Sequence, residues 1–129
     1  MTPELTVLAL AAILQFGQIG LAAWSMNRDG LAEWNASPRD TEPDFSILTG
    51  RLRRAVANHF EALAFFTIAV VCVSLSDGGS WFTATCAWIY LAARILYVPA
   101  YAFGWSPGRS IIYAVGAFAT LAMILAALA

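Results

Sequence analysis

The sequence contains no lysine, and all seven of its basic residues are arginine. Charge of either sign is scarce, at 12% of 129 residues, about half the share of an ordinary soluble domain. There is one histidine, and the two cysteines, Cys72 and Cys86, both lie inside apolar runs. These scarcities exclude several classes. A net charge of −1 without a basic run offers no footprint for nucleic acid. The cysteines have neither a metal-ligand spacing nor a disulfide framework, so no metal site is expected, and they read as small apolar residues at similar depth in neighbouring helices. What is abundant is apolar surface, 60% of the chain. A soluble protein of this size has nowhere to bury so much of it, and the natural solvent is a lipid bilayer.

Four apolar segments of roughly the 20 residues needed to cross a bilayer predict an all-α, integral membrane four-helix bundle spanning residues 1–129 as one domain. The helices are expected over about 3–25, 49–75, 81–103 and 107–128. Thr2, Pro3 and Glu4 suit the start of the first. No positive side chain precedes it, which argues against a cleaved signal peptide. "SDGGS" makes a tight turn between the second and third helices, Pro99 is expected to bend the third, and Ser106 and Pro107 read as a cap and first-turn pair for the fourth. Residues 26–48 form a polar surface loop, too polar to span and too short for a domain. Five arginines lie in or beside this loop and Arg109 lies by the last one, while the outer turn and both ends carry none. The positive-inside rule therefore places these two loops in the cytoplasm and both termini outside.

Chemistry concentrates on two helices. At about 100° per residue, Arg51, Arg54, Asn58, Glu61 and Phe65 fall within an arc of roughly 80°. Tyr90, Arg94, Tyr97 and Tyr101 share one face of the next helix in the same rhythm. Counting from the turn between them, Glu61 and Arg94 agree in depth within roughly 3 Å, which makes them candidate ion-pair partners. An ionisable group near the bilayer centre costs about 2.5–3.5 kcal/mol and marks function by default. The bland alternative is polar glue between helices, at about 0.6 kcal/mol per pair. The surplus of cationic donors over what glue requires calls instead for an anionic ligand. His59 points away from the Asn58–Glu61 face and reads as a subunit-contact or interfacial residue more readily than as a proton carrier. Gln15 and Gln18 suit interhelical hydrogen bonds, and Arg53, off the stripe, suits the aqueous boundary.

"RLRRAVANHFEAL" carries R-x-x-R-A-x-x-N-x-x-E, "ARILYVPAY" carries A-R-x-x-Y-x-x-x-Y, and a further arginine opens the last helix. In these motifs, and in helix number and length over the whole chain, the sequence resembles the MAPEG family, membrane-associated proteins of eicosanoid and glutathione metabolism. The compact size and the "NHFE" wording look like its bacterial branch, in the inner membrane. The resemblance implies a homotrimer with glutathione as co-substrate in clefts between subunits near the cytosolic face. It implies glutathione contacts at Arg54, Asn58, Glu61, Arg94, Tyr97 and Tyr101, to which the stripe adds Arg51, and a catalytic, thiol-activating role for Arg109. A lipophilic electrophile would be the second partner. The chain departs from the animal enzymes at Ala62 and Ala64, where tyrosine and proline are frequent. A transferase or peroxidase-like enzyme is the leading expectation. The alternatives are a non-catalytic binding or structural member and, less favoured, a small proton-coupled transporter using Glu61.

Overall fold

Three of the four long helices begin where the sequence supplies a side chain for their unpaired N–H groups. The computed structural model describes residues 1–129 and is all-helical, without strands. Helix α1 runs Pro3–Arg28, and the Thr2 hydroxyl accepts from the Leu5 N–H at 3.2 Å. A short helix α2, Ala32–Ala36, lies in the polar connection. Helix α3, Ile47–Leu75, opens under Ser46, whose Oγ accepts from the Thr49 N–H. Helix α4, Trp81–Ala102, opens with a reciprocal capping box between Ser80 and Thr83. Helix α5, Gly108–Leu128, differs from expectation. Ser106 does not cap it; Pro107 is the N-cap residue, and its carbonyl accepts from the N–H groups of Ser110 and Ile111 at 3.1 and 3.2 Å. The helix thus starts one residue later than Ser106 could serve. α1, α3, α4 and α5 are each long and apolar enough to cross a membrane, and the chain is an integral, multi-pass membrane protein.

α3 and α4 form the spine of the bundle. Both pack on each other and on α1 and α5, while the backbones of α1 and α5 stay apart. The core therefore lies along the α3–α4 seam. There Phe66 and Tyr90 stack face to face, with centroids 3.9 Å apart, among Val7, Val70, Ala87 and Met123. Small residues on α1 and α4, such as Ala11 and Ala87, let the backbones approach closely.

Two polar joints fix the outer helix α1 to this spine. The Glu4 carboxylate is buried and accepts from Thr83 Oγ at 2.6 Å, at the positive N-terminal end of α4. Gln15 Nε2 donates to the Val56 carbonyl at 3.0 Å. At the other end, Asp29 closes the polar connection onto the first turn of α3 by accepting from Ser46 Oγ at 2.6 Å and from Thr49 Oγ. The loop chain returns as a small aromatic cluster. Trp34 meets Phe45 edge-on, and the Arg53 guanidinium lies over Phe45 and pairs with Glu42 at 3.7 Å.

Removing the donor to the buried Glu4 carboxylate by Thr83→Val is expected to destabilise the protein by about 1–3 kcal/mol, with Thr83→Ser restoring it. Thermal unfolding in detergent measures this, and equal midpoints for the two variants would refute the joint. The Asp29 clamp has a pH signature. Hydrogen bonds from Ser46 and then Thr49 favour the ionised carboxylate and hold its pKa below the usual 3.8. A lowered folded-state value means the contribution is present above the ordinary carboxylate range and is lost as pH falls through the lowered value. Amide-exchange protection in the first turn of α3 should thus persist to about pH 4 and fade only below it. In Asp29→Asn that dependence should vanish; fading at higher pH would contradict the clamp.

Candidate functional site

The face that α3 turns toward α4 is where the charged residues meet. Arg94 enters the α3–α4 seam and is 2% exposed. Two neutral acceptors from adjacent residues of α3 receive it. Its Nε donates to His59 Nδ1 at 3.1 Å, and its Nη1 donates to Asn58 Oδ1 at 3.1 Å. The guanidinium also lies over the Tyr97 ring, 4.4 Å from the centroid. His59 is fully buried, and its other nitrogen, Nε2, reaches the Ala11 carbonyl of α1 at 2.9 Å. One ring thereby links three helices. The expected ion pair between Arg94 and Glu61 does not form. Arg94 inserts on the Asn58–His59 side of α3, whereas Glu61 is turned about 160° from His59 around the helix, on its exposed face. Charge is met here by neutral hydrogen-bond acceptors rather than by a carboxylate.

Toward the arginine-rich end of the bundle lies a second group. Arg51, Arg54 and Arg109 line one cleft of about 200 Å³ together with Tyr101 and the α4–α5 connection. Arg54 Nε donates to the Tyr101 hydroxyl at 3.1 Å, and Arg51 Nη1 donates to the Ala102 carbonyl at 3.3 Å. Arg109 lies over the Tyr101 ring at 4.9 Å and donates to the Tyr97 hydroxyl at 3.4 Å. Tyr97, fully buried, joins the two groups, with its ring under Arg94 and its hydroxyl on Arg109. No carboxylate lines the cleft.

A third feature adjoins Arg94 on the side of α5. A largely apolar crevice of about 290 Å³ runs between α3, α4 and α5, lined by Phe65, Tyr113, Gly116 and Leu121 among others. Two buried polar atoms belong to residues on its wall, the Tyr90 hydroxyl and Arg94 Nη2, and neither has a hydrogen-bond partner within the chain.

Of the residues singled out from sequence, Arg51, Arg54, Tyr101 and Arg109 share the polar cleft, and Asn58, Arg94 and Tyr97 adjoin it. Glu61 stands apart. Sequence reasoning missed the hold of His59 on Arg94, because helical angle alone assigned it to another face. It also missed Gly104. The backbone there is left-handed, at φ +67°, and a Cβ would come within 2.9 Å of the Arg51 guanidinium. A glycine just past a helix end was the available signal.

The MAPEG family matches residues 5–129, essentially the whole chain. The chain belongs to that family. Comparison with curated proteins and with solved structures gives no match.

Gly104→Ala tests the close approach of the α4–α5 connection to Arg51. The left-handed conformation alone costs a Cβ-bearing residue about 1–2 kcal/mol, and the contact with Arg51 adds to it. A lowered thermal midpoint is expected. The combination with Arg51→Ala should recover part of the loss, and no recovery would show that the contact contributes nothing.

Proposed function

We propose that the cleft of Arg51, Arg54 and Arg109 holds glutathione, and that the protein is a membrane glutathione transferase or peroxidase-like enzyme acting on lipophilic electrophiles. The observation that carries this reading is the convergence of three guanidinium groups on one cleft without a carboxylate among its walls. Such a cleft selects an anion, and the forked geometry of arginine matches a carboxylate. Family membership supports glutathione as that anion and a transferase or peroxidase type of role in general.

Glutathione brings two carboxylates, an ammonium and a thiol. Arg51 and Arg54 take the carboxylates, with Tyr101 and Asn58 completing the hydrogen bonds, and Arg94 and Tyr97 form the inner wall. Arg109 is the residue proposed to hold the thiolate, since an adjacent cation lowers the pKa of a thiol from about 8.5. The thiol proton leaves to solvent, and the thiolate sulfur forms a bond to the electrophile as a bond to its leaving group or ring oxygen breaks. The apolar crevice beside Arg94 suits the lipophilic partner, which concentrates in the membrane and reaches the seam laterally.

Glu61 fits this reading only in an assembly. An exposed carboxylate at the middle of a spanning helix is costly against hydrocarbon. Cover by a neighbouring subunit in a homotrimer removes that cost and gives Glu61 the ligand ammonium as counter-charge. The distribution of arginines supports a cytoplasmic opening, with both termini on the far side of a bacterial inner membrane.

Titration calorimetry in detergent should give saturable glutathione binding. Arg54→Ala should weaken it by about tenfold or more, the loss of a charged hydrogen-bond pair. Arg109→Ala should retain most of the affinity while losing the ultraviolet thiolate band and conjugation activity. Saturable binding with no thiolate band in the wild type would leave a binding protein without this chemistry, and no binding at all would refute the assignment.

A further inference from the structure

We infer that His59 is a positioning residue for this site: its imidazole, locked in one neutral tautomer between α1 and α4, holds the Arg94 guanidinium so that Nη2 remains free for a ligand. The inference rests on the glutathione reading of the site. Its geometric basis is independent of that reading.

The tautomer follows from the partners. Arginine Nε carries a hydrogen and can only donate, so His59 Nδ1, 3.1 Å away, is the acceptor and bears no proton. The Ala11 carbonyl can only accept, so His59 Nε2, at 2.9 Å, carries the hydrogen. Protonating the ring would set a donor against a donor and a cation against the Arg94 cation. Both nitrogens are thus committed, and the ring has no exposure to solvent, which removes it as a proton carrier.

The consequence falls on Arg94. Nε is held by His59, Nη1 by Asn58, and the plane lies on Tyr97. Three restraints fix the guanidinium, and they leave Nη2 as a buried donor without a partner within the chain. A buried donor left unpaired is destabilising, so a site that maintains one is set for an incoming acceptor. Without His59 the Nε donor would be freed, and the guanidinium could rotate to satisfy itself at the expense of that acceptor.

Two substitutions separate the two bonds of the ring. In His59→Gln the terminal amide lies near the position of Nε2 and keeps a donor for the Ala11 carbonyl, but the acceptor for Arg94 is lost. In His59→Asn the side-chain oxygen lies near the position of Nδ1 and keeps that acceptor, but the tie to α1 is lost. Glutathione affinity and thermal midpoint are measured for both in detergent, with Arg94→Met as reference. The expected result is affinity about tenfold or more weaker in His59→Gln, out of proportion to any fall in its midpoint, and near wild-type affinity at a lowered midpoint in His59→Asn. Affinity that merely follows the midpoint in both variants would make His59 a packing residue and overturn the inference. A nitrogen-15 histidine spectrum of the wild type supplies a readout without ligand. It should show a neutral Nε2–H ring unchanged between about pH 5 and 8; an Nδ1–H form, or titration across that range, overturns the hold on Arg94. A wild type that binds no glutathione overturns the functional reading alone, since the spectrum decides the hold by itself.

Discussion

A guanidinium cannot be carried into an apolar seam unless something there receives it, and the placement of Arg94 governs much of this molecule. The cost of a charge at such depth is about 2.5–3.5 kcal/mol even on lenient scales. Hydrogen bonds from a charged donor return about 1.5–3 kcal/mol each, and a desolvated cation over an aromatic face adds up to about 2. Asn58, His59 and Tyr97 together are therefore enough to offset the burial without a counter-ion. This sets the register of α4 against α3, because a shift of one residue in either helix would leave the charge unreceived. It also draws α1 in, since the ring that holds Arg94 must donate its remaining hydrogen to the Ala11 carbonyl.

From that fixed point the polar layer extends to the surface without a carboxylate. Tyr97 passes from Arg94 to Arg109, and Tyr101 lies between Arg109 and Arg54. Phenol rings thus stand between Arg94 and Arg109 and between Arg109 and Arg54, where like charges would otherwise meet. The uncompensated positive field is directed into the cleft, where an anion would complete it. On the other side of Arg94 the walls become apolar. One seam thus offers a polar compartment and an apolar one side by side, as the proposed reaction between a charged thiol and a lipid-soluble partner would require.

Much of the fold could be read directly from the chain. Four apolar runs with so little charge admit only a membrane-spanning, all-helical solution, and the three-four rhythm of Arg51, Arg54 and Asn58 marked the polar face. What stayed hidden was the rotation of one helix against another. Angle alone assigned His59 to a face away from the site and Glu61 to the seam with Arg94, and the packing reversed both. A helical wheel gives azimuth within one helix. The direction from which a long side chain on a neighbour arrives depends on the crossing geometry. The Ser106–Pro107 stretch was misjudged for a local reason, since Gly104 turns the chain left-handed before it and sets where α5 can begin.

The most direct measurement is the distance from ligand to arginine. Glutathione labelled with carbon-13 at its carboxylates can be added to protein carrying nitrogen-15 arginine in lipid bilayers, and carbon–nitrogen dipolar dephasing recorded by solid-state magnetic resonance. Strong dephasing between carboxylate carbons and guanidinium nitrogens is expected, diminished in Arg51→Ala and Arg54→Ala and unaffected by Arg39→Ala. Bound glutathione whose carboxylates show no dephasing by arginine, or the same dephasing in all three variants, would contradict the account.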